Sequence, residues 1–97
     1  MSNQNLEFKH IQDYLDKGAI ILDVRTVAEY NEGHVVNSLH IILDELEYEI
    51  DQLKALQKPI ITCCRSGVRS ERAKEILHNE DIDAINGGPW QNVEFYI

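Results

Sequence analysis

The 97-residue chain is poor in several features that define other classes of protein. Its two cysteines are adjacent in sequence, so they cannot form an ordinary structural disulfide, and no third cysteine is available. It has 9 basic against 17 acidic residues, and the net charge of −8 argues against binding nucleic acid or an anionic membrane. No apolar run approaches the length of a membrane span. The first residues, Met-Ser-Asn-Gln-Asn, lack both segments of a signal peptide, so we expect a cytoplasmic protein with reduced thiols.

The composition that remains is typical of a folded domain. Apolar residues make up 43% of the chain and charged residues 27%. This length predicts one domain over residues 1–97, and the charge pattern indicates a monomer. Apolar runs alternate with segments of helical spacing. That order predicts an α/β fold, with a central parallel sheet of about five short strands and helices on both faces.

The individual elements are predicted from local signals. Strands are expected at residues 6–9, 19–24, 38–42, 60–63 and 83–86, where short apolar or β-branched runs end at polar or turn residues. Helices are expected at residues 10–17, 26–32, 43–53 and 70–78, and a short aromatic tail after residue 89. Thr26 and Glu29 have the spacing of a capping box, and Gly33 is expected to end the helix that they begin.

The most informative stretch is residues 60–70, which read Ile-Ile-Thr-Cys-Cys-Arg-Ser-Gly-Val-Arg-Ser. A β-branched strand ends at the cysteines, a glycine-containing loop follows, and a helix comes next. This order places Cys64 at a strand–loop–helix turn, where backbone N–H groups and the positive end of the helix dipole converge. A thiol in that field loses its proton readily, and the thiolate is a nucleophile. The sequence therefore predicts covalent chemistry at Cys64.

The loop after Cys64 is expected to curl around the sulfur with its N–H groups pointing inward. Its members are Arg65, Ser66, Gly67, Val68 and Arg69. Such a nest stabilises negative charge on the thiolate or on an atom attached to it. The guanidinium groups of Arg65 and, second, Arg69 can bind an incoming oxyanion. Together with Arg72 and Lys74 they predict a basic hollow in an acidic protein, suited to a small anionic substrate.

Three further residues are expected to support the loop. A charge at the end of a buried strand needs a partner, so Asp23 and Arg25 are expected to form a structural pair or to bond the loop ends. Ser70 closes the loop motif. His34 could act as a base towards the thiol, but the nest already accounts for a lowered thiol pKa, so a structural role is favoured.

These motifs resemble those of the rhodanese family, the sulfurtransferases that pass sulfane sulfur through a cysteine persulfide. Residues 64–70 look like the active-site loop of its small single-domain members. Residues 23–25, 29–30 and 33–35 resemble the blocks that precede that loop, and Gly87-Gly88 with Trp90 resembles the closing block. The resemblance covers about residues 6–92, nearly the whole chain.

The resemblance implies a ping-pong reaction. The Cys64 thiolate would take the outer sulfur of thiosulfate or another donor, and the persulfide would pass it to a thiol or cyanide acceptor. The resemblance implies neither a metal nor an organic cofactor. Cys63 could resolve the persulfide, but a small buried strand residue is the favoured interpretation.

Three alternatives stay open at this point. One is a carrier that moves persulfide from one protein to another in a sulfur relay, with weak thiosulfate activity. Another is a cysteine phosphatase or arsenate reductase, although those phosphatases place one residue more between cysteine and arginine than the four that separate Cys64 from Arg69 here. The third is a non-catalytic rhodanese-like interaction module, a class that commonly lacks the cysteine.

Overall fold

A four-stranded parallel sheet organises residues 8–97, the part of the chain that the computed structural model describes. The strands are β1 at Ile20–Asp23, β2 at Leu39–His40, β3 at Ile60–Cys64 and β4 at Ala84–Pro89, in the spatial order β2–β1–β3–β4. Every neighbouring pair is parallel. The carboxyl ends of all these strands therefore meet at one edge of the sheet, where ligand sites of such folds usually lie.

Helical segments connect the strands. They are α1 at Ile11–Asp16, α2 at Val27–Glu32, a 3₁₀ helix at Leu43–Glu49 followed by α3 at Ile50–Leu56, α4 at Val68–Asn79 and α5 at Trp90–Glu94. None of the helices in residues 8–97 is both long enough and apolar enough to cross a membrane.

Side-chain alternation along the strands divides the interior into two cores, one on each face of the sheet. The first core joins β1 and β3 to the 3₁₀ helix, α3 and α4, through Leu22, Ile60, Leu46, Leu53 and Leu77. The second joins the same strands to α1 and α5, through Ile21, Ile61, Ile11 and Val93. The predicted α/β fold, with a parallel sheet covered on both faces, is confirmed.

The prediction of about five strands is corrected to four within residues 8–97. Of the strand predicted at residues 6–9, the first two positions lie outside the described residues, and Phe8 and Lys9 are not in a strand. β2 has only two residues and pairs with β1 alone, at one edge of the sheet. β4 is longer than predicted because it continues through Gly87 and Gly88 to Pro89.

The capping box that begins α2 is confirmed. The Glu29 N–H donates to Thr26 Oγ1 at 3.2 Å, and the Thr26 N–H donates to Glu29 Oε1 at 3.0 Å. Gly33 ends the helix, as its sequence position predicts. This local motif fixes the Glu29 carboxylate in space.

The aromatic tail, for which the sequence predicts no element, forms α5. It packs on the sheet at Gly87, where a Cβ atom would lie 2.6 Å from Val93 Cγ2 and 2.8 Å from Ile61 Cγ2. Only glycine lets α5 approach the sheet this closely. The packing brings the Trp90 ring against Gly33 and beneath the Arg25 guanidinium, 5.2 Å from the ring centroid.

Candidate active site

Cys64 is the last residue of β3 and is fully buried at the carboxyl edge of the sheet. The Gly67 N–H donates to Cys64 Sγ at 3.0 Å, and the Ser70 N–H donates to the same sulfur at 3.4 Å. Because α4 begins at Val68, the positive end of its dipole lies beside the sulfur. The fold thus brings together the thiol and the helix N-terminus that the sequence places next to each other.

The hydrogen bonds at the sulfur govern its ionisation. Burial raises the pKa of the Cys64 thiol, but hydrogen bonds from the Ser70 hydroxyl and from the N–H groups of Ser70, Gly67 and Ser66 outweigh it. The net pKa therefore lies below the ordinary value for a thiol, so this sulfur ionises more readily than a free cysteine.

Gly67 makes the turn of the loop possible. Its φ of 102° is in the left-handed region, which disfavours residues with a side chain. A Cβ atom at this position would also lie 2.9 Å from the Phe8 ring, which is closer than real Cβ contacts. Both the backbone conformation and the space around it therefore require glycine.

The Ser70 hydroxyl lies between the sulfur and the last strand. Its Oγ atom is 3.2 Å from Cys64 Sγ and donates to Asn86 Oδ1 at 2.7 Å. One hydroxyl proton cannot serve both partners at once. When the thiol is protonated, S–H can donate to Ser70 Oγ; when it is ionised, the hydroxyl proton can turn to the sulfur.

Asn86 is a site residue that sequence reasoning missed. Its Oδ1 also accepts from the Gly88 N–H at 2.8 Å, and its Nδ2 donates to the Gly67 carbonyl at 3.0 Å and to Glu71 Oε1 at 3.1 Å. One signal could have identified it. It is a polar residue at the predicted carboxyl end of a strand, directly before the paired glycines, and such ends gather at the edge that holds Cys64.

The Arg69 side chain, predicted as the second oxyanion contact, is already bound to a carboxylate. Its two Nη atoms donate to Glu29 Oε1 at 2.8 Å and Oε2 at 2.9 Å. The hydrogen bonds from Arg69, followed by that from the Thr26 N–H, lower the pKa of Glu29 to about 2. Glu29 lies 40 positions earlier in the chain, so this pair is visible only in the folded structure.

The Arg65 side chain, by contrast, forms no ion pair within residues 8–97. It is exposed and lines a hollow of about 420 Å³ beside the loop. We call this the Arg65 hollow; its other walls are formed by Arg25, Glu29, Glu32, Gly33, Trp90 and Gln91. The other two side chains of the predicted loop, Ser66 and Val68, are exposed.

The basic hollow predicted from the sequence is largely neutralised, which corrects that expectation. Arg72 pairs with Glu75 at 3.6 Å, and Lys74 pairs with Glu71 at 2.9 Å, each three positions apart on α4. With Arg69 bound to Glu29, three of the four clustered cations have an acidic partner. Helical spacing explains two of these pairs.

Asp23 and Arg25 form a buried pair, 0% and 4% exposed. Arg25 Nη2 donates to Asp23 Oδ2 at 2.7 Å and to the Gly33 carbonyl at 2.7 Å, while Nη1 donates to the Glu29 carbonyl at 3.1 Å. The pair therefore anchors α2 to the end of β1. This arrangement matches the structural alternative that the sequence favours for these two residues.

The contacts of His34 and Cys63 are with groups other than the Cys64 sulfur. The His34 ring stacks on Tyr30, with centroids 3.7 Å apart, and its Nδ1 bonds the Tyr30 carbonyl at 2.7 Å. Cys63 belongs to the core on one face of the sheet and Cys64 to the core on the other. Burial, followed by the charge of Asp23, raises the pKa of the Cys63 thiol. The pKa values of the two adjacent cysteines are therefore shifted in opposite directions.

Comparison with known proteins agrees with the fold. The rhodanese-like domain family matches residues 7–93. The chain is 28% identical over 85 residues to thiosulfate sulfurtransferase GlpE of Pseudomonas fluorescens, covering 82% of this chain and 75% of that protein. It is 35% identical over 70 residues to the putative sulfur carrier protein YrkF of Bacillus subtilis, covering 72% of this chain but only 37% of that protein.

A solved structure shows the same fold. The human single-domain sulfurtransferase TSTD1 superposes with a TM-score of 0.68 at 24% identity, over 86% of this chain and 88% of that one. The family match over residues 7–93 takes in every strand of the sheet and the cysteine loop between β3 and α4. The chain therefore belongs to the rhodanese-like domain family.

Proposed function

We propose that the protein is a sulfurtransferase that carries sulfane sulfur as a persulfide on Cys64. The observation that carries this proposal is the geometry at Sγ: a buried sulfur at the start of α4 accepts hydrogen bonds from the N–H groups of Gly67 and Ser70. These donors stabilise negative charge at one point, on the thiolate or on a sulfur attached to it. The relatives named as a thiosulfate sulfurtransferase and a putative sulfur carrier support the same chemistry.

The reaction consists of two displacements at sulfur. In the first, the Cys64 thiolate attacks the sulfane sulfur of the donor and forms a new S–S bond, while the donor's own S–S bond breaks. The electron pair leaves with the donor remnant, which is sulfite when the donor is thiosulfate. In the second, a thiolate or cyanide acceptor attacks the outer sulfur and Cys64 leaves as a thiolate. Because no electrons are gained or lost overall, this route needs no external oxidant or reductant.

The loop residues have distinct roles in this scheme. The N–H groups of Ser66, Gly67 and Ser70, which bond the Cys64 sulfur, hold the charge of the persulfide. Arg65 is the cation of the loop proposed to meet an anionic donor, because it lines the hollow and has no acidic partner within the described residues. Ser70 adds a hydroxyl donor to the thiolate.

A cytoplasmic setting and a protein partner complete the proposal. Both thiols are free, and a reducing compartment keeps such thiols reduced. The relative named as a sulfur carrier supports a relay in which another protein supplies or accepts the sulfur. Two rates separate a relay from small-molecule turnover: the rate of thiosulfate turnover and the rate of sulfur transfer from the persulfide of a cysteine desulfurase. A relay protein should be slow in the first and fast in the second.

Intact mass spectrometry after incubation with thiosulfate, or with cysteine persulfide, tests the chemistry. Wild type is expected to gain one sulfur atom. Cys64→Ser should gain none, whereas Cys63→Ser, the matched control in the neighbouring position, should still gain it. Absence of the adduct in wild type with both donors, or hydrolysis of an aryl phosphate in its place, would overturn the proposal.

A further inference from the structure

The Glu29–Arg69 pair connects α2 to the active-site loop. It is bidentate, with both Nη atoms of Arg69 within 2.9 Å of a carboxylate oxygen; the Arg69 side chain is 34% exposed and the Glu29 side chain 22%. Planar, two-point contacts of this kind are the strongest ion pairs that arginine makes with a carboxylate. An incoming anion would have to break the pair before it could use the Arg69 guanidinium.

Glu29 is also held in place from its own helix. Its Oε1 accepts from the Thr26 N–H at 3.0 Å and from Thr26 Oγ1 at 3.0 Å. Its pKa of about 2 keeps it ionised at neutral pH. The carboxylate is therefore a fixed negative charge at the wall of the Arg65 hollow.

The charges around the Arg65 hollow nearly cancel. Arg25 is bonded to Asp23 at 2.7 Å, and Arg69 is bonded to Glu29. The remaining charges on its walls are the cation of Arg65 and the carboxylate of Glu32. A dianion that enters this hollow loses hydration and meets only one guanidinium that has no ion-pair partner in the described residues. The cost of desolvating two charges is therefore not offset by the single contact.

We infer that Glu29 is a specificity-determining residue: by occupying the Arg69 guanidinium it disfavours a dianionic donor such as thiosulfate and favours a donor of lower charge, an organic persulfide. The inference rests on the proposed function, since it concerns which donor loads Cys64. With a persulfide R–S–SH, the Cys64 thiolate bonds to the outer sulfur, the donor's S–S bond breaks and R–S⁻ leaves. The proton stays with the transferred sulfur, so no further reactant is needed.

Glu29→Gln tests this inference without removing the helix cap, because glutamine at the same position also completes a capping box. It removes the charge that holds Arg69. We expect kcat/KM for thiosulfate to rise about tenfold, the gain that one charge-assisted contact typically gives. The value for cysteine persulfide should change by less than about twofold, since that donor does not depend on Arg69.

Two further variants make the test specific to the pair. Glu75→Gln also removes one carboxylate charge, but it breaks the Arg72 pair on α4, outside the hollow. It should leave kcat/KM unchanged for both donors. In Glu29→Gln/Arg69→Ala the gain for thiosulfate should disappear, because the freed guanidinium is its source. Arg69→Ala alone leaves the cap intact and exposes the Glu29 carboxylate, so it should lower thiosulfate turnover below wild type.

The outcomes separate this inference from the proposed function. If wild type and Glu29→Gln both acquire sulfur on Cys64 but have equal kcat/KM for thiosulfate, the inference is wrong and the sulfurtransferase proposal stands. A gain that persists without Arg69 also contradicts it. If neither protein acquires sulfur from either donor, the proposed function itself fails.

Discussion

Asn86 donates a hydrogen bond of 3.0 Å from Nδ2 to the carbonyl oxygen of Gly67, which fastens the last strand to the loop around Cys64. Oδ1 of the same side chain accepts a hydrogen bond of 2.7 Å from the Ser70 hydroxyl. One amide thus holds both the turn of the loop and the hydroxyl beside the sulfur.

Asn86→Ala is expected to lower the free energy of unfolding by about 1–3 kcal/mol, because it leaves partly buried polar groups of the loop without partners. Urea unfolding at neutral pH measures this change. Asn79→Ala, at the exposed end of α4, is the matched control and should change stability by less than about 0.5 kcal/mol. Equal effects of the two variants would show that Asn86 does not hold the loop.

Ser70→Ala is expected to raise the pKa of the Cys64 thiol, because it removes the hydroxyl donor but keeps the Ser70 N–H. With a higher pKa, less thiolate is present on the acid side of the titration. The rate of alkylation by iodoacetamide, followed against pH, should therefore have its midpoint at higher pH than in wild type. A midpoint that stays in place would mean that the backbone donors alone set the pKa.

The lowered pKa of Glu29 predicts that the protein loses stability as the solution becomes acidic. Its pKa is about 2 in the folded protein against an ordinary value of 4.5, so folding favours the ionised form. The stabilisation is complete above about pH 4.5 and is lost as the pH falls towards 2. Solvent screening limits it to about 1 kcal/mol.

Glu29→Gln should therefore be less stable than wild type by about 1 kcal/mol at pH 7 and should match it near pH 2. Urea unfolding of both proteins at several pH values measures the difference. A difference that is constant across this range would mean that the Arg69 pair does not contribute through ionisation.

Cys63 is expected to take no part in sulfur transfer, because its side chain faces the core opposite to that of Cys64. Cys63→Ser should leave the lifetime of the Cys64 sulfur adduct unchanged when followed by intact mass. In the native protein Cys63 should also resist alkylation, since burial raises its pKa, and should react only after unfolding. A longer adduct lifetime in Cys63→Ser would instead give it a resolving role.

The parts of the fold that the sequence predicts well are those with local causes. The capping box of Thr26 and Glu29 lies within four residues, and the buried strand that ends at Cys64 is a continuous β-branched run. Each depends on neighbouring positions alone. The same is true of Gly67, whose place in the loop indicates its backbone conformation.

The features that escaped prediction depend on packing between distant segments. The Glu29–Arg69 pair spans 40 positions, and it exists because α2 and α4 meet above the same edge of the sheet. Asn86 acquires its role only when β4 pairs beside β3. The short helix at Trp90 forms because Gly87 lets it approach the sheet. Spacing along the chain carries no information about such encounters.

The double engagement of Glu29 has a consequence for how this protein can evolve. The carboxylate both completes the start of α2 and holds Arg69, but glutamine can take over only the first of these tasks. Codons for the two amino acids differ by a single base. One mutation can therefore change the choice of sulfur donor while the helix keeps its cap. Descendants of this chain can diverge in donor preference without an intervening variant that fails to fold.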